Sequence, residues 1–404
     1  MSDGRMDDGL PEEMAHGSPS ERRRPAPLLS AGWRWGFPAV VAILVLWSGW
    51  LLMDGLGTIL DSEEGRTREA VTDQSAPGFE AFVEQTWSML VVTEDAAGEL
   101  VQVAVIAATD RTGGGGTVLL VPSEASASGC AAQSCRLVDR HREGGVETVR
   151  ASVTELMGVG VTGTALLTPT RWENLAGASP AVVVELPGDL VATAADGTSV
   201  VRFPAGTVAV APAEVVDLLG FVDDVGGMDR LARQREWWTG WMGQIGVGDP
   251  AANLPALDLD LVHLLVTVAT GPVRVVTSPW AVDGSSMVVD GTALDDLVVA
   301  MFPFPVPLVP GRLPTVRLLN GTGDPSLDAP AREAVLRASV ELAVVGNYRH
   351  DGAIQTRVIH RDPAQAEAAN ALAALLGAGV IFDEMASPVA DLTVVIGADF
   401  RPAG

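Results

Sequence analysis

The hydrophobic and polar positions divide the chain into a polar start, one long apolar run and a strand-rich remainder. Residues 1–34 are polar, with mixed charge, Gly, Pro and Ser, a composition typical of a disordered tail. The run at 35–53 contains no charged residue. As a helix it would measure about 28 Å, close to the hydrocarbon core of a bilayer. The pattern predicts one membrane-spanning helix at 35–53, followed by a polar linker at 54–80.

The charged residues on either side of this run predict its orientation. Arginines precede it and acidic residues follow it: Arg22, Arg23, Arg24 and Arg34 on one side, Asp54, Asp61, Glu63 and Glu64 on the other. The positive-inside rule then places the N-terminus in the cytoplasm and the rest outside, as in a single-pass plasma-membrane protein. A cleaved signal peptide is the alternative, but the run is long for one and no A-x-A site follows it. We expect an uncleaved anchor in the cell membrane.

Between residues 81 and 302 apolar runs alternate with amphipathic segments, which predicts an α/β fold. Buried strands are expected where the sequence reads WSMLVV, LVQVAVIAA and TVLLVP. Helices are expected at 145–160, 169–176, 212–222 and 228–245, and a helix, two strands and another helix within 255–302. The glycines at 113–116 fit a flexible hairpin loop between two strands. Phosphate binding is the alternative there, but no helix begins directly after them.

The last part of the chain follows a proline-rich stretch at 303–314, which predicts a stiff linker and a domain boundary. Residues 315–404 then have the pattern of a small βαβαβ domain. Its helices are expected at 329–345 and 363–376, and its strands at TVRLLN, IQTRVIH and LTVVIGADF.

Composition narrows the function classes. The formal net charge is -25, which argues against nucleic acid as a partner, because clustered positive charge is needed to bind a phosphate backbone. All 26 residues counted as Lys or Arg are arginine. That bias is typical of a high-GC, actinobacterial-like genome and carries no information about function.

The two cysteines of the chain, Cys130 and Cys135, lie in the small polar segment SGCAAQSCR. In an exported protein, a pair at this spacing indicates a local disulfide. Half of a metal site is the alternative, but His141 is the nearest histidine and one histidine is too few. The sequence contains no catalytic-serine motif, Walker loop or H-E-x-x-H zinc motif, so no metal site is predicted.

The segment GMDRLARQREWW is the strongest candidate for chemistry. Arg230 and Arg233 share one face of the predicted helix, with Gln234 beside them, and Arg235 follows. Paired guanidiniums suit phosphate or pyrophosphate. The four residues are therefore candidates for substrate binding, and the first two for catalysis.

A solvated helix face paired with neighbouring aspartates is the alternative for these arginines. Under that interpretation the adjacent Trp237, Trp238 and Trp241 belong to the core. Under the functional one they border a groove for a lipid tail.

Several segments resemble the LytR-CpsA-Psr family of cell-envelope proteins. They are the strands ending in TVLLVP, the stretch GGVETVRASVTELMGVGVTGTALLT, and DRLARQ. Residues 313–404 resemble the LytR C-terminal domain, with VRLLNGTG near the start and DLTVVIGADF near the end. The resemblance implies an α/β domain with a central mixed sheet, followed by the small C-terminal domain.

The family resemblance also implies a chemistry. Its members transfer a glycopolymer from a polyprenyl pyrophosphate carrier to peptidoglycan, with arginines neutralising the pyrophosphate and Mg²⁺ or an Asp assisting. Arg230, Arg233 and Gln234 match the family's Arg-x-x-Arg-Gln motif. A polyprenyl-linked glycopolymer and peptidoglycan are then the expected partners, and Mg²⁺ is expected only if the chain is active.

Other positions depart from the family pattern. Pro122, Ser123 and Glu124 stand where the family has Pro-Arg-Asp, and Gly227 stands at the Asp of the arginine motif. Glu94 or Asp95 takes the place of the acidic residue after the first strand, without its arginine. Much of the positive charge that would hold a pyrophosphate is therefore missing.

Three hypotheses follow. We favour a membrane-anchored envelope protein with reduced or lost catalysis and a binding role in cell wall assembly. The alternative is an active transferase that moves a glycopolymer to peptidoglycan. The third, a transcriptional attenuator, lacks a cytoplasmic DNA-binding element in residues 1–34.

Overall fold

The computed structural model describes residues 71–127, 135–194, 196–222, 227–256, 259–277, 279–350 and 352–401. The predicted tail, the predicted membrane helix, most of the predicted linker and Cys130 lie outside these ranges. Within them, no helix is both long enough and apolar enough to cross a bilayer. The described residues belong to one compact unit, Val71–Gly404.

The strands and helices alternate along the chain. The strands are β1 Glu80–Phe82, β2 Ser88–Glu94, β3 Leu100–Ala108, β4 Gly116–Val121, β5 Gly163–Leu167, β6 Val182–Leu186, β7 Leu190–Thr193, β8 Ser199–Phe203, β9 Gly206–Val210, β10 Val273–Val276, β11 Trp280–Asp283, β12 Ser286–Val289, β13 Thr315–Asn320, β14 Glu341–Asn347, β15 Arg357–His360, β16 Gly379–Phe382 and β17 Leu392–Ile396. The helices are α1 Leu137–Met157, α2 Pro169–Ala176, α3 Val215–Gly220, α4 Gly227–Ile245, α5 Asp260–Ala269, α6 Gly291–Met301, α7 Asp328–Leu336 and α8 Ala366–Leu376. The predicted α/β fold is confirmed.

A mixed five-stranded sheet in the order β10-β4-β3-β2-β5 lies at the centre of the first half, as the family resemblance implied. β3 is antiparallel to both neighbours, and the outer pairs, β4 with β10 and β2 with β5, are parallel. β3 and β4 are buried along their whole length, which explains their continuous apolar sequence. The carboxyl ends of β2 and β4 therefore meet at one edge of the sheet.

The glycine turn between β3 and β4 forms the expected hairpin, and it is closely packed. Gly114 and Gly115 have φ values of 72° and 81°, a region that favours glycine. A Cβ added to Gly114 would lie 2.0 Å from Oγ1 of Thr270. The turn thus needs glycine because it packs against the end of α5.

Helix α1 begins eight residues earlier than the predicted start at 145. Gly144 and Gly145 have non-helical dihedral angles within it, and Gly145 has a positive φ of 66°. The glycine pair kinks the helix, and the first segment buries Leu137 and His141. The sequence pattern detected only the segment after the kink.

The C-terminal sheet is larger than the predicted βαβαβ unit. Its order is β1-β14-β13-β17-β15-β16. The helix predicted at 329–345 was wrong at its C-terminal end, because α7 stops at Leu336 and β14 begins at Glu341. Leu342 and Val344 are buried in β14 and their neighbours are less so, which is the period of two of a strand.

Two hydrophobic cores lie beneath these sheets, one around the central sheet and one around the C-terminal sheet. The proline-rich stretch contacts strands and loops of the first half. Thr86 donates its backbone N–H to Phe304 O at 2.7 Å, and Gly160 donates to Val306 O at 2.7 Å. β1 also pairs with β14 of the C-terminal sheet, with Glu80 opposite Gly346.

Candidate functional site

The candidate site lies at the edge where β2 and β4 end. Glu94 is the last residue of β2, and Ser123 and Glu124 follow β4 by two and three positions. The start of α1 holds this segment, because Val138 donates its N–H to Ser123 O at 2.9 Å. The carboxyl edge of parallel strands is where α/β sheets commonly bind ligands.

Arg230 reaches this edge from the first turn of α4. Its side chain is buried, with 9% relative exposure. It donates to Oγ of Ser123 at 3.2 Å and forms an ion pair with Glu124. Arg230 and Glu124 border a cavity of about 350 Å³, which is also lined by Met228 and by the β11–β12 hairpin. Arg230 therefore faces a cavity, with its charge already balanced by a carboxylate.

Arg233 and Gln234 bond to backbone carbonyls, and their predicted part in substrate binding stays a prediction. Nε of Arg233 donates to Leu218 O at 3.2 Å, and Nη2 donates to Phe221 O at 2.5 Å. Nε2 of Gln234 donates to Leu219 O at 2.8 Å. The last carbonyls of a helix have no partner within it. These two side chains satisfy the end of α3, so they position α3 against α4.

The interpretation of this helix face as solvated is wrong, because Arg230, Arg233 and Gln234 are all buried. Arg230 and Arg233 share a face of α4, yet they bond to different elements. Arg235 is exposed on the other side of the helix. The structure thus brings one of the four predicted residues, Arg230, to the cavity.

Gln234→Leu is expected to lower the free energy of unfolding by about 1–3 kcal/mol, because Leu219 O would be left buried without a donor. Arg235→Ala, one position along the same helix, is the matched control and should change it by less than about 0.5 kcal/mol. Chemical denaturation followed by circular dichroism measures both. Equal effects at the two positions would contradict the structural role given to Gln234.

Two further polar pairs lie near the site, and sequence reasoning missed both. Nε2 of His141 is 2.8 Å from Oε1 of Glu94. Arg136 donates to Asp139 from Nε at 2.9 Å and from Nη2 at 3.0 Å. The hydrogen bond from Arg136 lowers the pKa of Asp139, and the same bond, aided by the nearby charge of Glu124, raises the pKa of Arg136. His141 lies one helical turn after the buried Leu137. This spacing is the sequence signal that could have predicted the burial of His141.

Three carboxylates at the site, among the described residues, are engaged with basic side chains. Among the residues that the structure describes, no group of three or more His, Cys, Asp and Glu could hold a metal ion. Glu94, Glu124 and Asp139 are paired with His141, Arg230 and Arg136. These residues therefore do not form a ready site for Mg²⁺. Cys135 is disulfide-bonded; the pairing with Cys130 stays a prediction, since Cys130 lies outside the described ranges.

The tryptophans after the arginines belong to the core, as one of the two interpretations held. Trp237, Trp238 and Trp241 have relative exposures of 0%, 1% and 0%. Their rings pack around Trp172 of α2, at centroid distances between 5.2 and 5.7 Å. They are enclosed by protein and do not border a groove.

Residues 314–400 match the family LytR_C, which is described as "LytR cell envelope-related transcriptional attenuator". This part of the chain is a LytR_C domain. It begins one residue before β13 and includes the remaining strands and helices of the C-terminal sheet, without β1.

Solved structures similar to this chain cover a little over half of it. TagT of B. subtilis has 16% sequence identity and a TM-score of 0.42, over 58% of this chain and 93% of TagT. The LytR-Csp2A-Psr enzyme of Actinomyces oris has 14% identity and a TM-score of 0.42, over 58% of this chain and 96% of the enzyme. TagV of B. subtilis has 14% identity and a TM-score of 0.41, over 54% and 96%. No protein of curated function matches this chain.

The LytR_C domain is joined to the preceding residues by polar contacts as well as by β1. Arg317 of β13 forms an ion pair with Glu80 of β1. Nδ2 of Asn347 donates to Gln74 O at 2.8 Å and to Ala76 O at 3.0 Å. The segment before β1 is therefore fixed to the LytR_C domain.

Proposed function

We propose that this chain is a membrane-anchored cell-envelope protein with a binding role in cell wall assembly and with reduced or lost transferase activity. Its ligand is a polyprenyl-linked glycopolymer or peptidoglycan. The LytR_C domain and the motifs between residues 86 and 301 that resemble LytR-CpsA-Psr proteins support the envelope role. The anchor at 35–53, the extracellular position of the rest and the disulfide between Cys130 and Cys135 are parts of the same proposal.

The observation that carries the proposal is the pairing of Arg230 with Glu124. Phosphoryl transfer depends on positive charge placed at the phosphate oxygens. At the end of β4, Ser123 stands in the place of an arginine, and the arginine that remains is balanced by a carboxylate. Arg233 is engaged with backbone carbonyls. The site can accept an anion at Arg230, but it lacks the charge to stabilise a transferring phosphoryl group.

An active transferase is the alternative, and the cavity of about 350 Å³ beside Arg230 favours it. An incoming pyrophosphate could displace Glu124 from Arg230. Mg²⁺ belongs to this alternative alone, and the paired carboxylates of the site do not offer it a ready place. A TagT structure contains a bound octaprenyl pyrophosphate lipid, and a lipid of this class is the ligand to look for here.

Arg230→Gln is expected to reduce co-purified polyprenyl phosphate or pyrophosphate by at least about tenfold, because a charge-assisted contact contributes about 1.5–3 kcal/mol. The measurement is mass spectrometry of lipid extracted from the full-length protein purified in detergent. Glutamine keeps a donor for Ser123 and Glu124, so the fold should be retained. Arg235→Ala is the matched control and should keep the lipid of the unmodified protein.

If the lipid found in the unmodified protein is also found in Arg230→Gln, the lipid binds at another site. Absence of such lipid from both proteins would remove the lipid-binding part of the proposal. The protein would then be better explained as an anchored scaffold that acts through its LytR_C domain.

A further inference from the structure

A second cavity, of about 230 Å³, lies in the LytR_C domain and away from Arg230. It is lined by β13, α7 and β14, by the segment before β1, and by the proline-rich stretch. Apolar side chains form most of its wall: Phe79, Phe304, Leu318, Leu327, Val345 and Ile396. One cationic side chain, Arg332 of α7, is among the lining residues.

Arg332 of α7 has no ion-pair partner among the residues that the structure describes. Among the described residues, no hydrogen bond or ion pair to its guanidinium is found, and its Nε atom is buried and unbonded. The guanidinium carbon lies 5.5 Å from the centre of the Phe304 ring. Desolvation by burial lowers the pKa of Arg332, against smaller effects of Glu333 and Asp328. Arg332 is half-buried, and partial removal of a charge from water without an ion-pair partner is unfavourable.

Two other arginines of the same domain have the carboxylate that Arg332 lacks. Arg317 pairs with Glu80, and Arg337 pairs with Asp296 at 2.9 Å. Arg332 instead lines the cavity, with its guanidinium beside the ring of Phe304.

The two asparagine side chains of the cavity wall are already used by the protein. Nδ2 of Asn320 donates to Asp324 O and to Oδ1 of Asp328, at 2.8 and 2.6 Å. Nδ2 of Asn347 donates to the backbone before β1. Arg332 is the cationic group in this wall, and its Nε has no partner among the described residues.

We propose that this cavity binds the carboxylate of a small organic acid, with Arg332 as the anion-binding residue and the apolar wall around the acyl part. A planar guanidinium matches a carboxylate by two parallel hydrogen bonds. A monoanion fits better than a dianion, because Asp328 is the nearest acid in the wall. The cavity is smaller than most ligand pockets, which have about 300–1,000 Å³, so the acid has few carbon atoms.

The test is a ligand-observed NMR titration of the full-length protein with butyrate, butyramide and inorganic phosphate. Butyrate should bind saturably and at least tenfold more tightly than butyramide, which has the same shape without the charge, and more tightly than phosphate. Arg332→Met should weaken butyrate binding by at least about tenfold, since it removes the charged partner. Arg337→Met, on the neighbouring arginine, should leave binding unchanged.

Thermal unfolding without ligand separates this role from a structural one. Arg332→Met should leave the melting temperature unchanged or raise it, because an unpaired buried charge is removed and the packing on Phe304 is kept. No butyrate binding to the unmodified protein, or equal binding after Arg332→Met, would overturn the proposal. Tighter binding of phosphate than butyrate would overturn the assignment to a carboxylate. A lower melting temperature of Arg332→Met together with unchanged binding would indicate a structural arginine.

Discussion

Trp172→Ala is expected to lower the free energy of unfolding by about 3–5 kcal/mol, the range for deleting a buried tryptophan. The Trp172 side chain is fully buried and lies at the centre of the tryptophan cluster. Its Nε1 donates to Oγ1 of Thr93 in β2 at 3.0 Å. The substitution would therefore leave a cavity and an unbonded hydroxyl next to Glu94, which ends the same strand.

Denaturation of the full-length protein followed by far-UV circular dichroism measures this loss without depending on tryptophan fluorescence. Trp87→Ala is the matched control, because Trp87 is only partly buried and contacts Arg111 near the surface, and it should have a smaller effect. If Trp172→Ala instead keeps full stability and loses bound lipid, the cluster would be part of a lipid groove and not of the core.

The double substitution Ser123→Arg/Glu124→Asp is expected to raise phosphotransfer by about 10²-fold over the unmodified protein. One well-placed donor to a developing charge contributes about 10²–10³ in rate. Oγ of Ser123 already lies 3.2 Å from Nη2 of Arg230, so a guanidinium at position 123 would face the same cavity. The shorter Asp keeps a carboxylate at position 124.

The gain should depend on where the charge is placed. Ser285→Arg adds a guanidinium to the wall of the same cavity, from the exposed tip of the β11–β12 hairpin, and should give no comparable gain. The double variant should also be less stable without ligand, because two guanidiniums would lie side by side, and pyrophosphate should restore that stability. If the double variant folds but transfers no faster than the unmodified protein, the missing positive charge is not the only defect of the site.

The central strands were predictable because β3 and β4 are buried on both faces and therefore read as continuous apolar runs. Helix α4 was predictable because its apolar residues recur at helical spacing. By contrast, the apolar pattern of α7 continues into residues 337–345. Those from Glu341 onward form a strand because β14 pairs with β13, which is a tertiary contact. Local periodicity does not contain that information.

The arginines of α4 were identified from sequence, but their partners were not. Glu124 is 106 residues from Arg230, and the carbonyl of Leu218 is 15 residues from Arg233. Helical spacing shows that two side chains share a face. Which of them meets a cavity, a carboxylate or the end of another helix depends on how the elements pack. The pair of Glu94 and His141 was not predicted for the same reason, since the two residues are 47 positions apart in the sequence.

The most direct test of the central claim is a single-turnover transfer assay. The full-length protein in detergent is mixed with a polyprenyl-pyrophosphate-linked glycan and a peptidoglycan acceptor, with and without Mg²⁺. We predict that the unmodified protein binds the lipid through Arg230 but converts little or none of it to product in one turnover. Conversion of most of the bound lipid by the unmodified protein, abolished by Arg230→Gln, would contradict the account and establish an active transferase.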